Sequence, residues 1–599
     1  MKITHLAAAL ASIGVLAATT LPATQAGRPE LVDPLFAAAG SALCTLPQAG
    51  RPPLLERMIL AQAESTPFQP GQQLPAKAAT GTPPLYNDLG ALHVPVTTAS
   101  TKAQAYFNQG MRLTFAFNHA EAARAFRAAQ RFDPACAMCY WGEALVLGPN
   151  INAPMFPDAV APAAAAAARA VQLARPAKPA ERALIKALSL RYANPAPAAR
   201  ASLDQAYADA MTGAARDFPN DDTIQVLFAE SLMDLSPWNY WEAGGSKPRN
   251  RNTDLVDALE RVLERNPTHA GAIHYYIHAM EASTHPEKAL PYARELARQI
   301  PGAGHIVHMP SHIYYRVGLY KEALQSNLRA IEADEIYFNR SDSDPIYKVS
   351  YYPHNIHFVM VSALMGGDGT TALAAAAKLD QSLPAPLVKE FSMLQPVKAA
   401  PYFSHVQFSS PETLLALPDP GPELVLVKAM WHYARAVGFA RKGAFTDSQR
   451  EIDAIGAIER TADFKAITDW GVPARDIVQT AHAVAGGRLA DARNDWPAAI
   501  KSYQQAITIQ DTLPYTEPPY WYYPVRQSLG ASFLRAGRLN EAEDALRASL
   551  ARTPSNGWAI RGLMEVYRER GDRAALAAAR KRFETTWLGT PRGPALSAL

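Results

Sequence analysis

The sequence has little of what marks several large classes of protein. Its 58 lysine and arginine residues nearly balance 55 aspartate and glutamate residues, giving a net charge of +3 without a long basic run. We therefore expect no nucleic-acid partner, because nucleic acids require a concentrated basic face. Beyond the first residues, no apolar run approaches a membrane-spanning length. The HExxH, GxSxG, P-loop and Rossmann motifs are also missing, which favours a binding protein over an enzyme.

The first 26 residues are typical of a secretory signal peptide. Lys2 precedes an apolar stretch that begins near Leu6, and the small residues Thr24 and Ala26 suit cleavage after Ala26. The stretch is too short and too rich in alanine to be preferred as a membrane anchor. We expect residues 1–26 to be removed and the mature protein to be periplasmic or secreted, most simply in a bacterium.

Cysteine is scarce, with only Cys44, Cys136 and Cys139 in 599 residues. An odd count leaves at least one thiol outside any intramolecular pair. The motif CAMC is followed by Tyr140, so it is not a c-type haem site, which needs histidine at that position. Two interpretations of Cys136 and Cys139 remain open: a disulfide, which an exported protein favours, and a thiolate metal site.

A period of 34 residues separates Pro267 from Pro301. Matching segments near the two ends of the chain place small residues twelve positions apart, followed by a bulky residue: Gly110, Ala122 and Phe126 in one, Gly530, Ala542 and Leu546 in the other. Small residues let paired helices approach closely, the bulky residue fills the gap, and a proline ends the second helix. The pattern therefore predicts stacked helical hairpins.

This pattern resembles the tetratricopeptide-repeat (TPR) family, whose period is 34 residues, over most of residues 101–588. The resemblance implies an all-α, right-handed solenoid of TPR-like helical hairpins. Proline-rich composition divides it into two subarrays. The expected order is a Pro/Ala-rich lead at 27–100, an N-terminal array at 101–381, a Pro-rich connector at 382–423 and a C-terminal array at 424–599.

Histidine is concentrated in one region, since nine of the fifteen histidines lie between His269 and His357. In the TPR frame they recur at equivalent positions of a unit's first helix: His305 and His354 at position 2, His274, His308 and His357 at position 5, His278 and His312 at position 9. These positions form one stripe of a helix. In TPR proteins that stripe lines the concave groove, so the resemblance implies that seven imidazoles converge there.

Converging imidazoles are typical of a transition-metal site, with zinc, copper, iron or nickel as the candidate ion. Two histidines at i and i+4, as in His274 and His278, can grip one ion from a single helical face. Glu281 follows three residues after His278, and it is a candidate ligand, orienting partner or general base. Glu230 occupies position 9 of the preceding unit and is expected to border the patch.

Other functions remain open for the same groove. Without a metal, its histidines could recognise a protein, a peptide or an anionic ligand, respond to pH, or simply pack. A metal-dependent hydrolase or oxidase is a further alternative, with Glu281 as its catalytic candidate.

Two other stretches are weaker candidates. Trp141, Asn150 and Asn152 could form a lip over the groove, although core packing and turn capping are favoured for them. The aromatic run YTEPPYWYYP at 515–524 could be an exposed binding surface or the packing of a repeat junction.

Overall fold

The computed structural model describes residues 81–193, 200–242, 244–341 and 345–599. The expected signal peptide, most of the lead and Cys44 lie outside these ranges. No helix within them is long and apolar enough to cross a membrane.

The described chain is all-α, and apart from two isolated bridges it contains no β-structure. The first fifteen helices are α1 Thr101–Phe115, α2 His119–Phe132, α3 Ala137–Leu147, α4 Val160–Leu173, α5 Pro179–Ser189, α6 Ala201–Asp217, α7 Asp222–Asp234, α8 Asn252–Arg265, α9 Ala270–Met280, α10 Leu290–Gln299, α11 Gly304–His308, α12 Pro310–Arg316, α13 Tyr320–Phe338, α14 Pro345–Gly366 and α15 Gly369–Gln381.

The remaining helices are α16 Ala385–Glu390, α17 Gln395–Ala399, α18 Pro401–Phe408, α19 Pro411–Leu415, α20 Val425–Arg441, α21 Phe445–Thr461, α22 Lys465–Thr468, α23 Ala474–Ala492, α24 Trp496–Gln510, α25 Arg526–Arg535, α26 Leu539–Arg552, α27 Gly557–Arg570 and α28 Arg573–Thr586. Within the described ranges, four short 3-10 turns lie at Pro157–Ala159, Pro286–Ala289, Ser392–Leu394 and Leu596–Ala598.

Consecutive helices pack in pairs, including α1 with α2, α3 with α4 and α23 with α24, and each pair packs against the next. This is a solenoid of TPR-like hairpins. The 34-residue period is realised directly, because α9 begins at Ala270 and α11 begins at Gly304. Short polar side chains start several of the helices. Asn118 accepts from the amide of Glu121 at the start of α2, which satisfies an amide that the helix itself leaves unpaired.

Small residues allow the close packing that the repeat pattern predicts. The Phe126 ring sits against both Gly110 and Gly142, and a Cβ at either glycine would approach it to 2.5 Å or less. At the other end of the array, a Cβ on Gly530 would lie 2.6 Å from Leu546. The bulky residue of one helix thus fills the gap left by glycine on its neighbours.

Parts of the long connections fold inwards. In the 236–252 segment Trp238 and Tyr240 are buried, and the indole nitrogen of Trp241 donates to the carbonyl of Ala279 in α9. The segment at 382–423 contains the short helices α16–α19, of which α17, α18 and α19 pack against α20. The 236–252 segment thus packs against α9, and the 382–423 segment packs against α20.

We expect Phe126→Ala to destabilise the first hairpins by about 3–5 kcal/mol. The substitution leaves a cavity beside Gly110 and Gly142, which have no side chains to fill it. Hydrogen exchange of amides in α1 and α3 measures this local loss, which suits an array that unfolds in segments. Phe132→Ala is the matched control on the same helix, since Phe132 is 40% exposed. An equal effect of both changes would contradict the packing argument.

Candidate metal centre

Six of the seven candidate histidines form one buried cluster. They are His274 and His278 on α9, His305 and His308 on α11, His312 on α12 and His354 on α14. None is more than 1% exposed. The backbone between α11 and α12 breaks at Met309 because Pro310 has no amide hydrogen to continue the helix. The histidines therefore lie in a closed interior and not on the wall of an open groove.

The cluster consists of two groups of three. The first triad is His274, His278 and His305, and the second triad is His308, His312 and His354. Within each triad the potential ligand nitrogens all lie within 4.8 Å of one another. The triads are neighbours, since the ring centroids of His278 and His312 are 5.7 Å apart and those of His305 and His308 are 5.9 Å apart.

Hydrogen bonds fix the tautomers in the first triad. The carbonyl oxygen of Phe115 lies 2.7 Å from His274 Nδ1, and a carboxylate oxygen of Glu281 lies 2.8 Å from His278 Nδ1. Both oxygens can only accept, so each Nδ1 carries the hydrogen and each Nε2 of a neutral ring carries a lone pair. These two Nε2 atoms face each other at 3.1 Å.

The second triad has the same arrangement. Asn327 donates its amide nitrogen to the carbonyl of Ala323, so its side-chain oxygen accepts from His308 Nδ1 at 2.6 Å. The other oxygen of Glu281 accepts from His312 Nδ1 at 2.8 Å. Consequently the Nε2 atoms of His308 and His312 also face each other as lone pairs, 2.8 Å apart. Each triad thus contains a close contact between two acceptors, which repel unless a cation lies between them.

Burial governs the ionisation of the rings. It lowers the pKa of five of the six histidines below the usual 6.5, and neighbouring histidines lower several of them further. His312 differs, because the charge and hydrogen bond of Glu281 outweigh burial and raise its pKa. A second proton on His312 would satisfy the contact in the second triad. In the first triad His305 Nε2 lies 3.1 Å from His274 Nε2 and can donate a hydrogen to it, but the lone pair of His278 still faces that of His274.

Glu281 is the carboxylate that joins the triads. Burial alone would raise its pKa, but the charge of His312 and the hydrogen bonds from both histidines lower it to about 2. Tyr515 adds a hydroxyl 3.2 Å from the same carboxylate and also donates to Glu517 at 2.5 Å. The 515–524 run is therefore packed against the candidate site. Burial, followed by the charge of Glu281, raises the pKa of Glu517 to about 7.

Aromatic rings enclose both triads. Phe117 lies 4.4 Å from His274 and 5.4 Å from His305 between ring centroids, and Trp238 lies 4.7 Å from His278. Phe117 and Trp238 have φ angles of 55° and 64°, a conformation that side chains of this size rarely adopt. Phe358 lies within 5.0 Å of all three rings of the second triad. The aromatic rings help to close the cluster to bulk solvent, since none of its six histidines is more than 1% exposed.

The seventh candidate, His357, lies outside the cluster. Its Nε2 contacts the hydroxyl of Tyr522. Glu230 lies beside the buried Arg191–Asp234 ion pair, and burial followed by the charge of Asp234 raises its pKa well above its usual value. Tyr240 is buried, and burial raises its pKa well above the usual value, with smaller contributions from the charges of Asp234, Glu281 and Glu230.

The three residues expected at the lip of the groove lie in the core or beside the cluster. Trp141 is a core residue with 1% exposure. Asn150 contacts His119, and Asn152 donates to the hydroxyl of Tyr351, whose ring covers His305 at 4.5 Å. These asparagines thus form hydrogen bonds with His119 and Tyr351 and are not members of the cluster.

The pair Cys136 and Cys139 forms a disulfide at the start of α3, with Cα atoms 5.4 Å apart.

The groups that fix and enclose the rings could not be predicted from the sequence. Asn327, Phe117, Trp238 and the carbonyl of Phe115 had no motif to single them out. The aromatic run at 515–524 carried a signal, but its contact with Glu281 spans 234 residues of sequence.

No protein-family model and no curated protein matches the chain. Among solved structures, the APC/C hetero-tetramer Cut9–Hcn1 is 12% identical, with coverage of 83% of this chain and 74% of that chain and a TM-score of 0.27. The human IFIT1 dimer with m7Gppp-AAAA is 12% identical, with coverage of 82% and 90% and a TM-score of 0.27. The human IFIT1 dimer with PPP-AAAA is 13% identical, with coverage of 79% and 94% and a TM-score of 0.30. Similarities this weak say nothing about what this chain binds.

We expect Glu281→Gln to destabilise the metal-free protein by about 3 kcal/mol, because an amide accepts from one histidine but presents a donor to the other. Denaturant unfolding of chelator-treated protein measures the loss. The matched control is Glu287→Gln. Glu287 forms an exposed pair with His285, with 3.0 Å between its carboxylate oxygen and His285 Nδ1, so its loss should change stability little. Equal stability of the two variants would contradict the bridging role of Glu281.

Proposed function

We propose that this protein binds two transition-metal ions, one in each histidine triad. The observation that carries the proposal is the pair of facing Nε2 atoms in each triad, His274 with His278 and His308 with His312. Their Nδ1 hydrogens are committed to oxygen acceptors, so the opposed lone pairs have no hydrogen between them in the neutral rings. A metal cation placed there converts a repulsive contact into two ligand bonds.

The donor set suits a small group of metals. Each triad offers three imidazole nitrogens, and borderline ions such as zinc, copper, iron and nickel prefer these ligands. Calcium and magnesium prefer oxygen donors, so they fit the cluster poorly. Three protein ligands also leave a coordination position for a further group, as in catalytic metal sites and not in closed structural ones.

The partners of the Nδ1 atoms support the same proposal. Ligating histidines commonly donate their second N–H to a carboxylate or a backbone carbonyl, which orients the ring and makes it a stronger ligand. His274 uses the carbonyl of Phe115, and His278 and His312 share Glu281. With both oxygens held in this way, Glu281 is better suited to orient the ligands than to act as a general base.

A protein-docking scaffold without metal is the competing function. The TPR-like architecture is compatible with it, but the histidine cluster gives it no support. All six rings are at most 1% exposed, so a peptide lying on the surface of the array would not touch them. A metal ion is small enough to occupy the space between the rings.

We expect close to two equivalents of copper or zinc per chain after metal loading and desalting of untagged protein. His354→Gln should reduce this to about one equivalent, because a triad with two remaining histidines binds weakly. His357→Gln is the matched control, three residues along the same helix and outside both triads, and it should keep two equivalents. Elemental analysis gives the counts, and circular dichroism verifies folding.

Metal contents near zero in the wild-type protein with every ion tested would rule out the proposed function. Equal loss in the His354 and His357 variants would show that the triads are not the binding sites. X-ray absorption of the loaded protein provides a second readout, with nitrogen neighbours near 2.0 Å expected for imidazole ligands.

A further inference from the structure

A row of four tyrosine rings leads from the first triad to the surface. The ring of Tyr351 lies 4.5 Å from that of His305, and the ring of Tyr347 lies 5.1 Å from Tyr351. Tyr337 follows at 6.1 Å from Tyr347, and Tyr86 at 6.1 Å from Tyr337. Each separation lies within the range of directly contacting aromatic pairs. The first three tyrosines are buried, and Tyr86 is partly exposed.

Two of these phenols have a carboxylate beside the hydroxyl. Tyr347 donates to Asp334 at 2.9 Å, and Tyr86 donates to Glu121 at 2.8 Å. A phenol gives up an electron far more readily when its proton can pass to a hydrogen-bonded acceptor, because the radical cation is a strong acid. The inner and outer parts of the row thus carry the groups that reversible tyrosine oxidation needs.

The same row lines a cleft. Tyr86, Tyr337 and Tyr347 are among its walls, together with Asp88, Asp334 and Arg340. Asp88 and Arg340 form a partly exposed ion pair near the outer tyrosine. Gly302 and Gly304 let the backbone of this wall lie against Asp88 and Asp334. A Cβ at Gly304 would lie 1.9 Å from Asp334. The outer end of the row therefore meets solvent at a concave, charged surface.

We propose that the metal centre is redox-active and exchanges single electrons with an external one-electron carrier through Tyr351, Tyr347, Tyr337 and Tyr86. This inference rests on the proposed metal site. It selects copper or iron over zinc as the working ion, because zinc has no accessible redox change. The carrier approaches the surface at the partly exposed ring of Tyr86, since the six histidines are too deeply buried to be reached directly.

The balance of electrons and protons can be followed for the oxidation of a copper(I) centre by an external acceptor. Tyr86 loses one electron to the acceptor and its proton to Glu121. The Tyr86 radical would then take an electron from Tyr347 across the ring of Tyr337 and recover its proton from Glu121, while Tyr347 passes its own proton to Asp334. Copper(I) would next give one electron to Tyr347 across the rings of His305 and Tyr351 and become copper(II), and Asp334 would return the proton to Tyr347. The net change is one electron from copper to the acceptor, with no proton consumed.

The test uses full-length protein loaded with copper(I) and the outer-sphere oxidant hexachloroiridate(IV), with copper(II) formation followed by stopped-flow absorbance. Tyr347→Phe and Tyr86→Phe should each slow this step roughly tenfold or more, because the ring remains but the oxidisable hydroxyl is lost. Tyr352→Phe is the matched control. Its hydroxyl donates to the buried Glu335 from the same helix as Tyr347, but it is not part of the row.

The outcomes separate the two proposals. Two bound copper ions in every variant, with slow oxidation only in Tyr347→Phe and Tyr86→Phe, support electron transfer along the row. Two bound copper ions with unchanged rates in these variants, or equal slowing in Tyr352→Phe, would overturn the electron path and leave the metal site intact. Failure of the wild-type protein to retain copper or any other ion would overturn both.

Discussion

The carboxylate of Glu281 is the contact on which the rest of the site depends. Its two oxygens accept from Nδ1 of His278 and of His312, which belong to consecutive hairpins of the array. Fixing both tautomers turns the opposite nitrogens towards the interior as lone pairs. The distance between equivalent helices in neighbouring repeats is what lets one side chain at the end of α9 reach both rings. One repeat spacing and one carboxylate thus align the two triads.

Burial keeps the rings in the form that binds metal. A histidine must be neutral to act as a ligand, and the low pKa values of the enclosed rings keep five of them neutral at physiological pH. The enclosure has a conformational cost, because Phe117 and Trp238 adopt positive φ angles that cost of order 1–3 kcal/mol each. Contacts between these rings and the first triad offset that cost.

Periodicity made much of the site predictable. The 34-residue repeat identified the hairpins, and it placed six of the seven expected histidines in one cluster. It misplaced His357, whose ring turns towards Tyr522 instead. The resemblance to TPR proteins implied an open groove, whereas Trp238 and Tyr515 approach from distant segments and close it. Such contacts, like the carbonyl of Phe115, leave no local pattern in a sequence because they depend on tertiary packing.

The two triads differ in their surroundings, and this difference assigns them different parts in the proposed electron exchange. Tyr351 reaches the first triad at His305, whereas Phe358 covers all three rings of the second triad and has no hydroxyl to oxidise. His305 also has a buried Nδ1 without a hydrogen-bond partner among the described residues, so its tautomer is not fixed from outside. Electrons would therefore enter or leave at the first metal and reach the second through the adjacent rings of His305 and His308. In this arrangement the metal of the first triad exchanges electrons with the external carrier, and the metal of the second triad is shielded from it.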